Sequence, residues 1–202
     1  MHNENLQIEL LVQKHLELYN KVLNSQRRIE LSGFLKQDEK KVNSEEIIVI
    51  SEALKKNNSL FSIDLSFNNI NDDGMKYICE ALKINSFLEE IKLNSNRIGQ
   101  DGAKLLSEAL KTNFSLKILR LNNNLLNTEG AKHFLDCLSL NSSLNLIEIE
   151  NNGAANFILK EIAVLLKENK DNPNKARQRI QNSLSFKLEL IQIIIPSIII
   201  VK

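Results

Sequence analysis

Hydrophobic and polar positions in this chain recur every 28 residues. Leu60, Leu88, Leu116 and Leu144 open four related phrases, LFSIDLSFNNI, LEEIKLNSNRI, LKILRLNNNLL and LNLIEIENNGA. Inside each phrase apolar and polar residues alternate, as at Ile63, Asp64 and Leu65, which is the period of a strand. Asn68 and Asn69 then turn the chain. Met75, Ile78, Cys79, Ala81 and Leu82 follow at helical spacing, behind Asn71-Asp72-Asp73, where Asn can cap a helix and acids suit its positive end. Asn85 closes that helix. Asparagine is expected there because it tolerates the left-handed conformation. Each unit is therefore strand, turn, helix and return. A strand this short cannot bury a core alone, so the period predicts a stack with parallel strands on one side and helices on the other.

The columns of the stack sharpen this. Ile63, Ile91, Leu119 and Ile147 form one apolar column, and Leu65, Leu93, Leu121 and Ile149 form the next. Asn68, Asn96, Asn124 and Asn152 follow the strands, where buried turn backbone needs partners and an amide carries both donor and acceptor. Ala53, Ala81, Ala109 and Cys137 mark a tight helix-face column. Asn57, Asn85, Asn113, Asn141 and Asn169 mark successive helix ends.

The pattern LxxIxLxxNxI with helical returns such as NDDGMKYICEALKIN resembles the leucine-rich repeat family over residues 28–169, and its helix-bearing form is similar to the ribonuclease-inhibitor subfamily. The resemblance implies an α/β leucine-rich repeat solenoid, a horseshoe with a concave parallel β-sheet and convex α-helices. It also implies protein recognition. A stand-alone module of this kind also resembles the repeat effectors that bacterial pathogens deliver into host cells.

The period fails at both ends. Arg28 to Ser32 aligns with Ser62 to Ser66, but Phe34 stands where the Asn ladder should begin and Gln37 to Lys41 are inserted. Leu10, Leu11, Leu16, Leu18, Tyr19, Val22 and Leu23 predict a capping helix before the first unit. The chain thus divides into 1–26 as cap, 27–169 as about five repeats and 170–202 as a C-terminal cap or tail. Phe186 to Ile195 is expected to cover the last repeat as a strand or irregular segment. The apolar run from Leu190 to Val201, broken by Gln192, Pro196 and Ser197, is shorter than the ~20 residues of a spanning helix.

Composition narrows the function. A net charge of +1, with 25% charged residues and no long run of like charge, is not a nucleic-acid-binding balance. Two cysteines make no disulfide framework, and with no secretory leader read at the start they suit a reducing cytoplasm. His133 and Cys137 stand four apart on one helix, but both fall in packing columns, so neither metal nor cofactor is expected. Gly74, Gly102 and Gly130 open helices singly and form no phosphate loop.

The candidate site is then the face that the strands turn outward. Its central column is Glu30, Asp64, Lys92, Arg120 and Glu148. The column before it includes Arg28, Glu90, Ile118 and Leu146, and the column after it includes Asn94, Asn122 and Glu150, with Phe67 just past the strand. Adjacent cations Lys92 and Arg120 beside the aliphatic pair Ile118 and Leu146 suit a protein interface with an apolar centre and polar rim. Five acids against three bases argue further against nucleic acid. The expected function is non-catalytic binding of one partner protein by a chain monomeric on its own, with an enzyme blocked at its active site as one such partner. The alternatives are a GTPase activator of the Ran-activator type, acting through Arg97 or Arg120, and a scaffold anchored by its tail.

Overall fold

The computed structural model describes residues 2–32, 42–174, 177–179 and 181–182. Two helices, α1 (His2–Lys14) and α2 (Leu16–Leu23), precede β1 (Arg27–Glu30) and α3 (Ser44–Lys56). The repeats continue as β2 (Leu60–Asp64), α4 (Asp72–Ile84), β3 (Glu90–Lys92), α5 (Gln100–Leu110), β4 (Ile118–Arg120), α6 (Asn127–Leu138), β5 (Leu146–Glu148) and α7 (Asn156–Asp171). The five strands form one parallel sheet in chain order. Strands space at ~4.8 Å and packed helices at ~9 Å, so a layer of one strand and one helix per unit must bend with the sheet inside. This is the predicted α/β solenoid.

The core is the predicted set of columns. Ile63, Leu65, Ile91, Leu93, Leu119 and Leu121 are fully buried, as are Ala53, Ala81, Ala109 and Cys137. Helix starts also follow the sequence. Asn71 caps α4 by accepting from the Gly74 N–H at 3.1 Å. Asn43 and Glu46 cap α3 reciprocally, each side chain accepting from the other's backbone N–H at 2.9 and 2.8 Å.

The asparagines at the helix ends act differently from the expectation. Asn57 and Asn85 have extended backbone, with φ near −74° and −72°, not the left-handed conformation. Their amides instead build a buried ladder. Asn113 Nδ2 donates to Leu82 O and Asn85 O at 2.6 and 3.0 Å, while its Oδ1 accepts from Ser115 N and Leu116 N at 3.1 and 2.9 Å. Asn85, Asn141 and Asn169 likewise donate to the preceding unit. Asn57 reaches the cap, donating to Val22 O, Leu23 O and Ser25 O at 2.9 Å each. One position before the other ladder, Phe67, Ser95, Asn123 and Asn151 are left-handed. That ladder forms as predicted. Asn96 Nδ2 donates to Leu65 O at 3.0 Å, Asn124 Nδ2 to Leu93 O and Asn152 Nδ2 to Leu121 O at 2.9 Å, and Asn68 donates to Leu31 O at 2.8 Å.

At the start, the single predicted capping helix is two helices that meet at His15. Tyr19 and Val22 seal the first unit, whereas Leu10 and Leu16 of the predicted apolar stripe are exposed. At the other end, α7 runs to Asp171, and Arg179 donates to Leu138 O at 2.9 Å and pairs with Glu168. Phe34, Gln37 to Lys41, and the C-terminal readings on Phe186 to Ile195 and Leu190 to Val201 lie outside the described residues. Among the described residues no helix is long and apolar enough to cross a membrane.

Candidate protein-binding face

Strand pairing puts the central outward column in one row. Glu30 stands opposite Asp64, Asp64 opposite Lys92, Lys92 opposite Arg120 and Arg120 opposite Glu148. Across the sheet the charges therefore read negative, negative, positive, positive, negative. The adjacent cations of the sequence map are not bare. Lys92 Nζ lies 3.4 Å from Asp64 Oδ2, and Asp64 Oδ1 accepts from Ser66 N at 3.0 Å. Arg120 is bracketed, with Nε donating to Glu90 Oε1 at 3.1 Å and Nη1 to Glu148 Oε1 at 2.5 Å.

Glu90 was read as exposed, but it is only 5% exposed beneath Arg120. Its other oxygen accepts from Ser62 Oγ at 2.8 Å. Burial pushes its carboxyl up, but Ser62, Arg120 and Lys92 together hold it below the ordinary value. Burial pulls the Arg120 guanidinium down, and Glu148 and Glu90 more than reverse this. The centre of the face is thus a fixed ion network that presents little unpaired positive charge.

Asn94 and Asn122 also have a structural task that the sequence map missed. Asn94 Oδ1 accepts from Asn122 N at 2.9 Å, and Asn122 Oδ1 from Glu150 N at 2.7 Å. Each ties one strand end to the next, leaving the amide nitrogen as the available donor; that of Asn122 lies 3.4 Å from Glu148 Oε2. The 28-residue register of these side chains with a backbone N–H was the signal that could have found them.

Ile118 and Leu146 pair directly across β4 and β5 and are half-buried, while Arg28, Glu30, Phe67 and Glu150 are exposed. A second apolar surface, absent from the sequence reading, lies at the helix-to-strand turns, where Ile84, Phe87 and Phe114 are 61%, 50% and 59% exposed.

The features set aside in the sequence have packing roles. Cys137 and Cys79 are buried thiols whose ionisation burial pushes up to about 12. No group of three His, Cys, Asp or Glu able to hold a metal occurs among the described residues. Asn57, Asn113 and Asn141 are buried with their amides spent in the ladder.

The fold is that of a leucine-rich repeat solenoid. A family model described as a leucine-rich repeat matches residues 56–79 and 85–107. Among solved structures, a leiomodin-1 actin-binding site 2 domain shares 21% identity, with a TM-score of 0.69 over 83% of this chain and 96% of that one. A tropomodulin C-terminal domain from Caenorhabditis elegans shares 15%, with a TM-score of 0.66 over 80% and 96%. Similarity at this level is similarity of fold. No curated protein sequence matches the chain.

Proposed function

We propose that this chain is a non-catalytic protein-binding module and that the outward sheet face is its contact surface. The carrying observation is the Ile118–Leu146 pair, two aliphatic side chains adjoining the Glu90–Arg120–Glu148 network on the sheet's open face. Apolar side chains ringed by fixed charges suit an interface that desolvates its centre and keeps its register by electrostatics. The leucine-rich repeat match and the actin-binding leiomodin domain support recognition of a protein as the class of function. Actin is the first partner to test, and an enzyme covered at its active site is the second. Free thiols fit a reducing cytoplasm as the place of action.

The test is Ile118→Asp/Leu146→Asp in the full chain. Partner capture from the native cell, and cosedimentation with filamentous actin, should be lost in the folded double variant, because central interface residues contribute ~2 kcal/mol or more each. Equal recovery by both proteins removes the sheet face from the reading. Charge reversal at Arg120 is a poorer probe, since it would set a new acid against Glu90 and Glu148. The same pairing bears on the GTPase-activator alternative. Arg120 is held within its own sheet, so of these two arginines the exposed Arg97 is the one free to extend into a partner's nucleotide site.

A further inference from the structure

We propose that the Glu30–Asp64 end of the sheet face is a pocket for one basic side chain, Lys or Arg, of the bound protein; this rests on the protein-binding reading above. Glu30 and Asp64 are directly opposed across β1 and β2. Like charges opposed in a sheet repel, and a fold tolerates them where a cation can come between. Further along the row the equivalent conflict, Lys92 opposite Arg120, is resolved internally by Asp64, Glu90 and Glu148. At Glu30 it is not. Glu30 is exposed and has no ion pair among the described residues, and Asp64 has only Lys92, at 3.4 Å.

A second observation points to the same hollow. It is lined by Glu30, Asp64, Ser66, Phe67 and Lys92, among others. Ser66 is 3% exposed, and its hydroxyl has no hydrogen-bond partner among the described residues. Buried polar atoms are rarely left so unless something else completes them. An entering ammonium or guanidinium would donate to Glu30 and to the outer side of Asp64, with the Ser66 oxygen as a further acceptor. Phe67, 36% exposed, gives the hollow an apolar wall against which a methylene stem can lie. A bare metal ion suits the site less, because no group of three His, Cys, Asp or Glu able to hold one occurs among the described residues.

The probe is a capped Gly-Gly-Arg-Gly-Gly peptide, with its Lys counterpart and with citrulline and acetyl-lysine controls. Each is titrated into the isotope-labelled full chain and followed by amide chemical shifts. Saturable shifts at Glu30, Asp64 and Ser66 are expected with Arg or Lys, and roughly tenfold weaker binding with the neutral controls. Glu30→Gln, an exposed change that leaves the core intact, should weaken binding about fivefold to tenfold. Equal response to citrulline, shifts mapping elsewhere, or undiminished binding by Glu30→Gln would overturn the pocket. If Ile118→Asp/Leu146→Asp abolishes partner capture while no basic peptide binds at Glu30, the pocket fails and the protein-binding reading stands. If the peptide binds there while capture survives that double variant, the pocket stands and the apolar contact fails.

Discussion

Arg120 in β4 and Glu90 in β3 lie 30 positions apart and meet at 3.1 Å, Nε to Oε1, with Glu90 buried beneath the guanidinium. The pair joins two repeats through side chains, as Lys92–Asp64 and Arg120–Glu148 also do on the same face.

Glu90→Gln should lower stability by about 1–2 kcal/mol in urea unfolding. Breaking a buried pair costs more, but Arg120 is partly exposed and keeps Glu148, which discounts the loss. The pH dependence has a definite sign. A carboxyl held below its ordinary 4.5 is deprotonated more readily in the folded chain than in the unfolded one. Its contribution is present above that value and disappears as pH falls through the lower folded value. Between about pH 5 and pH 3 the wild type should therefore lose more stability than Glu90→Gln. Parallel pH curves for the two proteins would show that Glu90 does not carry this dependence.

Asn113→Ala removes five hydrogen bonds, three of them buried, and leaves Leu82 O and two backbone N–H groups short of a partner. A loss of ~3 kcal/mol is expected, since each unsatisfied buried group costs ~1–3 kcal/mol and some relaxation is available. Asn58→Ala, at an exposed position, should stay within about 0.5 kcal/mol. Calorimetry of the two variants compares them, and similar midpoints would deny the ladder its role.

Two helix-opening glycines should differ. A Cβ on Gly102 would stand 2.5 Å from Asp72 Oδ1 and 2.8 Å from Ile98 Cγ2, and that same Asp72 oxygen accepts from Gly99 N at 2.6 Å. Gly102→Ala should destabilise by roughly 1–3 kcal/mol through overpacking. At Gly74 the nearest atom is Ile70 Cγ2 at 3.1 Å, and alanine's helix preference of ~1 kcal/mol offsets the small adjustment. Thermal unfolding should find Gly74→Ala close to wild type.

Cys79 and Cys137 should resist a thiol reagent at about pH 8 in the folded chain and react fully in denaturant, because the thiolate is the reactive form. Both are buried, with ionisation raised to about 12. Rapid native labelling of either would contradict that burial. Since the folded value lies above the unfolded one, these thiols favour folding at neutral pH and lose that contribution as pH rises past about 9.

The 28-residue period was legible because each unit meets the same neighbours, so the same position must solve the same packing problem in every turn of the stack. Leu65 and Leu93 show this for the core, and Asn96 and Asn124 show it for the turn ladder. Asn85 was legible as a helix end but not in its conformation, because a left-handed cap and an extended residue donating to Leu54 O place the same residue type at the same position. On the open face, alternation told which side chains point outward, including Glu30, Lys92, Arg120 and Leu146. Their partners could not be read this way. Outward positions carry no shared packing requirement, and a charge is neutralised by whichever side chain lies within a few ångströms in the adjacent strand. The sequence by itself thus determined the stack, its core and the direction of each strand side chain, since periodic burial dictates all three. Only the tertiary structure decided that Glu90 lies buried under Arg120 while Glu30, opposite Asp64, has no ion pair among the described residues, because those relationships depend on distances between strands some thirty residues apart.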